Sequence, residues 1–244
     1  MSRKLSLSLL TILFLVTLTL TSATTARALT LAELIDPNCT ICSITVDDKL
    51  FDNFTFSMFS TDLNLTTPDD ASGINVGPIV VGSEIGLAFT GGMTAQNGAT
   101  LDLVIGYKVT VLDPNRLLSD IELIFNGNAS PGSHTSVVET VLDANPPPNT
   151  PALIGEATVM DPPNGAHDEL ILLDRQVRSA LVQKDIILQA AANNIFFAGN
   201  VTISVVDQLF SQTRPPQDIP EPASLLLLGS GLAFIVRSRR RHIG

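Results

Sequence analysis

Residues 29–210 predict an all-β fold: a single antiparallel β-sandwich of about ten strands, immunoglobulin-like or jelly-roll-like. Three observations carry that reading. Apolar residues recur at every second position over most of the segment, the alternation of a half-buried strand. Gly, Pro, Asn and Asp clusters interrupt the alternation at intervals of roughly 10–15 residues. No repeat of solenoid or propeller length is present, and the segment is long enough for one sizeable core.

In chain order, Phe54, Phe56 and Met58 alternate with Thr55 and Ser57, and further strands are expected at 74–81 and 84–90. The clearest strand is Leu101 to Val111. Leu101, Leu103, Ile105, Tyr107, Val109 and Val111 point one way; Asp102, Gly106, Lys108 and Thr110 point the other. Asp113-Pro114-Asn115 ends it, because Asp bonds its own backbone and Pro fixes φ. Ile121, Leu123 and Phe125 then alternate up to Asn126-Gly127-Asn128, which reads as a turn. Strands at 134–142, 152–160, 169–177 and 182–190 follow, and Val201, Ile203 and Val205 mark the last. A helix competes only near 184–197, where Ala190 to Asn194 is less β-like.

The two ends differ in composition from this body. Arg3 and Lys4 precede an apolar run from Leu5 to Leu20, and Ala26-Arg27-Ala28 supplies the small residues of a signal-peptidase site. Residues 1–28 therefore read as a signal peptide with a helical apolar core, cut after Ala28, and imply the Sec translocon and signal peptidase as partners. Residues 211–219 are polar and Pro-rich, a spacer. Residues 220–244 hold Pro220-Glu221-Pro222-Ala223-Ser224, an apolar stretch ending at Val236, and Arg237, Arg239, Arg240 and Arg241. The prolines hold Glu221 in extended backbone suited to an enzyme's cleft. The apolar stretch reads as a short transmembrane helix, with its arginines left in the cytoplasm. Ala223 to Val236 would make only about 21 Å of helix against a hydrocarbon core of roughly 30 Å, which suits a temporary stop better than a permanent anchor.

Seven of the 14 basic residues lie in residues 1–28 and 221–244, as does Glu221 among the 24 acids. Residues 29–220 therefore carry seven basic residues against 23 acidic ones, about −16, where the whole chain has −10. Such a surface excludes nucleic acid and anionic lipid as partners. Cys39 and Cys42 are the only cysteines; a single C-x-x-C, without a nearby His and in an exported chain, reads as a local disulfide.

The tail closely resembles the PEP-CTERM sorting signal of bacterial exosortase substrates, also labelled the ice-binding protein C-terminal domain. The resemblance rests on Pro220, Glu221, Pro222, Ala223 and Ser224, then Leu-Leu-Leu-Leu-Gly-Ser-Gly-Leu-Ala at 225–233, then the arginine cluster. It implies exosortase as a partner and transient anchoring in the inner membrane. Delivery to the envelope or an exopolysaccharide matrix would follow. The body is similar to other such proteins at Ile44 to Lys49, Gly106 to Val111 and Lys184-Asp185-Ile186, which brings no assigned activity.

Catalytic residues are not expected. His134 and His167 follow turn residues outside any nucleophile motif, and Asp47/Asp48, Asp69/Asp70 and Asp168/Glu169 lack the spacing of a calcium loop. Thr67-Pro68-Asp69-Asp70 is the best loop for a stray cation, but no metal or cofactor is expected. Scattered threonines (Thr45, Thr55, Thr66, Thr67, Thr110, Thr202) make no regular ice-binding array. Most phenylalanines alternate as core residues, which weakens a sugar platform. A non-enzymatic envelope or matrix protein is therefore expected, ahead of a carbohydrate-binding or adhesive module and of a polysaccharide hydrolase.

Overall fold

A computed structural model describes residues 28–150, 152–161, 168–193 and 198–214. The signal helix with Ala26, the sorting residues 220–224, the transmembrane helix and its arginines lie outside the described residues, as does His167. Two sheets face each other across one core.

The chain enters as β1 (Leu29–Thr30) and α1 (Leu31–Ile35). Thr30 caps this short helix: its hydroxyl accepts from Glu33 N at 3.2 Å, while its own N–H donates to Glu33 Oε2 at 2.7 Å. Next come β2 (Ile44–Val46), β3 (Lys49–Ser60), β4 (Thr66–Thr67), a 3-10 turn at Ala71–Gly73, β5 (Asn75–Val81) and β6 (Glu84–Gln96). Then follow β7 (Thr100–Val111), β8 (Leu117–Ala129), β9 (His134–Asp143), β10 (Leu153–Asp161), β11 (Asp168–Val177), β12 (Ser179–Gln189) and β13 (Asn200–Thr213). One sheet has the order β1-β5-β6-β13-β8-β11, with β4 also on β6; the other runs β10-β9-β12-β7-β3-β2. Every pairing is antiparallel.

The antiparallel sandwich is as expected, with thirteen strands in place of about ten; β1, β2 and β4 are too short to show a period. In β7 the six predicted residues from Leu101 to Val111 are all buried. The expected turn at Asn126-Gly127-Asn128 is instead the run-out of β8. It stays extended because Gly127 pairs with Ile203 while Asn126 O accepts from Ser204 Oγ at 3.1 Å, beside a bulge in β13. The chain reverses later, where Ser133 N donates to Ser130 O at 2.8 Å and Gly132 takes φ 82°. The helical alternative near 184–197 is also overturned up to Gln189, because Val182, Lys184, Ile186 and Leu188 face the core at period two.

β13 runs three residues into the segment expected as spacer. Ser211, Gln212 and Thr213 pair with Asp120, Leu118 and Leu117, and Gln212 Nε2 donates to Asp48 Oδ1 at 2.7 Å. β13 is an interior strand, held by β6 as far as Phe210 and by β8 through Thr213. Aromatic rings close the core beneath it: Phe51 lies 5.6 Å from Phe210 and 6.1 Å from Tyr107, which also meets Phe54 and Phe89.

Candidate functional site

Cys39 and Cys42 sit in the loop between α1 and β2, with Cα atoms 5.5 Å apart and their sulfurs bonded. Exposed Ala28 precedes the first paired residue, Leu29. His134 is exposed at the start of β9, opposite Gln189. The sequence-adjacent acids have separate local tasks. Asp47 takes φ 51° in the turn between β2 and β3, and Asp48 pairs with Lys49 at 3.5 Å. Asp70 caps the 3-10 turn through Ser72 N at 2.7 Å, and bonds from Ser72 hold its carboxyl below the usual range. Among the described residues no three acidic, His or Cys side chains converge as metal ligands.

The outer sheet faces bring together acids that are distant in sequence. On the seven-stranded sheet, β6, β8, β11 and β13 present Glu84, Glu122, Asp120, Asp168 and Asp207. Burial, and then the negative charges of Glu84, Asp168 and Asp120, push the Glu122 carboxyl above its usual value. The native state therefore binds more protons than the unfolded chain between the two values, and stability falls as pH rises through that window. Glu122→Gln is expected to raise the melting temperature at pH 7. The gain should vanish below about pH 4.3, where both states of the wild type are protonated. Equal melting curves at pH 7 would show that the acids do not repel.

On the six-stranded sheet the rows across the outer face are set by register. Ile187, Asp102 and Phe59 form one row; Asp185, Val104 and Ser57 form the next. Asp185 and Asp102 lie diagonally across β12 and β7 on this face, and burial followed by the Asp102 charge pushes the Asp185 carboxyl up. Phe59, 62% exposed, is an exception among the mostly inward phenylalanines, because it takes an outward position of β3 while Phe54, Phe56 and Met58 face in.

A cleft of about 260 Å³ opens between Asp143, Asn145, Pro147 and residues 175–179. Its cations are committed to the fold. Arg175 Nε donates to Asp143 Oδ2 at 3.0 Å, and Arg178 donates to the carbonyls of Val111 and Leu112, both at 3.2 Å.

The most concentrated chemistry lies between the sheets. Lys184 on β12 donates through Nζ to Glu139 Oε2 on β9 and to Gln208 Oε1 on β13, and all three residues are 0% exposed. Lys184 and Glu139 are cross-strand partners in one sheet, and Gln208 reaches them from the other. Gln208 Nε2 donates to Glu122 O at 3.2 Å. The Phe89 ring lies 6.0 Å from Nζ, and the buried Tyr107 hydroxyl has no hydrogen-bond partner. Burial depresses the lysine and raises the carboxyl, so both neutral forms gain; Glu139 in turn helps to hold the Tyr107 hydroxyl up. Sequence spacing alone points to no site here. The available signal was a charge of each sign in apolar slots of the alternation, Val137-Glu139-Val141 and Val182-Lys184-Ile186.

The PEP-CTERM protein-sorting motif matches residues 218–241. No curated protein matches the chain. Among solved structures, the enzymatically active domain of bacteriophage CBA120 tailspike protein 4 aligns at 13% identity and TM-score 0.30, over 65% of this chain and 19% of its own. The chain thus spans about a fifth of that tailspike's length. TmCBM61 in complex with β-1,4-galactotriose aligns at 10% identity and TM-score 0.31, over 66% of this chain and 88% of its own. Neither likeness is close enough to bear on function.

Proposed function

The chain carries a PEP-CTERM sorting motif and is thereby an exported exosortase substrate sorted to the cell surface, and we propose that its body is a non-enzymatic structural component there, held in the envelope or the extracellular polysaccharide matrix. The observation that carries this reading is the motif itself, which begins at residue 218, shortly after β13 ends at Thr213. Export through the Sec translocon and cleavage after Ala28 by signal peptidase come first in this account. The apolar stretch then halts in the inner membrane with Arg237, Arg239, Arg240 and Arg241 inside. Exosortase acts at Pro220-Glu221-Pro222 and frees the body from that stop.

Glu221→Ala is expected to leave the chain in the inner membrane with its arginine tail, whereas the wild type reaches the surface without it. Fractionation followed by intact-mass measurement reads both. A mature surface protein that still carries Arg237 to Arg241 would defeat the processing step.

A second reading is favoured by one observation: exposed Phe59 stands beside Asp102 on a broad sheet face, an apolar platform next to hydrogen-bonding groups. That arrangement suits a carbohydrate-binding or adhesive module. Phe59→Ala is expected to weaken binding to the host's exopolysaccharide about tenfold. Unchanged binding removes this reading, and progressive shortening of the polymer would point to a hydrolase instead.

A further inference from the structure

Between the sheets, a primary amine, a carboxamide and a carboxyl group meet with no route to water. Lys184 Nζ touches both Gln208 Oε1 and Glu139 Oε2, and all three side chains are fully buried. The amine of a buried lysine is nucleophilic once it has passed its proton to a neighbour, and Glu139 is the neighbour in contact with it. Glu139 Oε1 has no hydrogen-bond partner. The Tyr107 hydroxyl, buried without a partner and close enough to feel the Glu139 charge, is an uncommitted donor in the same pocket. Phe89 walls the pocket on the amine's side.

We propose that Lys184 and Gln208 are an intramolecular isopeptide site, at which the Lys184 amine displaces ammonia from the Gln208 side chain with Glu139 as proton shuttle, joining the two sheets covalently. In the step, Nζ adds to Cδ of Gln208 and the carbonyl oxygen takes up the negative charge, with Tyr107 as its donor. Glu139 removes a proton from Nζ and delivers one to Nε2. The Cδ–Nε2 bond breaks, ammonia leaves, and a secondary amide remains. One amide replaces another, so neither oxidant nor co-reactant is needed. Exclusion of water protects the acyl centre from hydrolysis, and the folded pocket holds amine and carbonyl in contact, which supplies the effective concentration that free side chains lack. The bond would tie β12 to β13, whose continuation carries the sorting motif.

The test is the intact mass of the full chain, expressed with its export machinery and measured after denaturation and reduction of the Cys39–Cys42 disulfide. The linked protein is lighter than its processed sequence by one ammonia, about 17 Da. Trypsin adds the position: it cuts after Arg178 and, in an unlinked chain, after Lys184. The linked chain yields one peptide from Ser179 onwards, uncut at Lys184, that contains Gln208 and carries the whole mass deficit. Glu139→Gln, which keeps the shape, is expected to restore both the full mass and the cut. An unmodified wild-type mass with cutting at Lys184 overturns the proposal. So does a loss of water that joins Lys184 to the peptide holding Glu139. Neither outcome depends on where the protein is sorted.

Discussion

Gly86→Ala is expected to destabilise the body by about 3 kcal/mol or more, well beyond the usual effect of one added methyl group. Gly86 lies in β6 opposite Leu209, and a Cβ built on it would stand 1.5 Å from the backbone oxygen of Gln208. That oxygen cannot retreat cheaply. Its strand is paired on both sides, and the Gln208 side chain is fixed by Lys184 from the opposite sheet. Moving β13 would disturb both ladders and the buried polar contacts together. Gly82→Ala is the control: φ there is +62°, but nothing lies within 4 Å. It should lose only the roughly 1–2 kcal/mol of a left-handed backbone. Urea unfolding of the two variants separates space from dihedral strain. If they lose the same amount, the close approach of β6 to β13 is not what sets the position.

The strands were legible because each long one has a buried and a solvated face, and period two survives in the letters. β7 is the plainest case, with six consecutive inward positions occupied by apolar side chains. Where pairing decides against local preference, the letters mislead. Asn126-Gly127-Asn128 has turn chemistry, yet it remains strand because β13 pairs alongside. The end of β13 is hidden in the letters for a related reason. Ser211, Gln212 and Thr213 look like spacer in composition, and only their register with β8 makes them strand. The sorting tail was legible because its parts come in a fixed order within a short span. The Lys184, Glu139 and Gln208 cluster could not be assembled from spacing. Its members come from three strands and two sheets, and topology alone brings β9, β12 and β13 together. The same holds for Asp102 and Asp185, whose proximity is set by the register of β7 with β12.

Glu139→Leu tests how that cluster supports the fold, and its effect should rival that of Gly86→Ala. The change leaves Lys184 buried beside Phe89 and Gln208 without its carboxylate and also prevents the covalent link, so the loss is at least the about 3–5 kcal/mol of a broken buried pair. The pH dependence has a definite sign. Burial already holds the lysine below its ordinary value, and removing Glu139 removes the largest influence that raises it. The unfolded chain then binds more protons than the native one, so the variant gains stability as pH rises, up to about pH 10.4. Adding Lys184→Met removes the stranded amine but leaves Gln208 Oε1 without its donor, a residual of about 1–3 kcal/mol. Adding Gln208→Leu removes that orphan too. What the triple variant still lacks is the covalent link. Closing the 24-residue separation between Lys184 and Gln208 is worth about 3 kcal/mol by the chain-entropy argument used for disulfides. The triple variant is therefore expected to unfold about 3 kcal/mol below the wild type. If it matches the wild type, the three groups are a buried network that packed hydrocarbon can replace, and no bond joins the sheets.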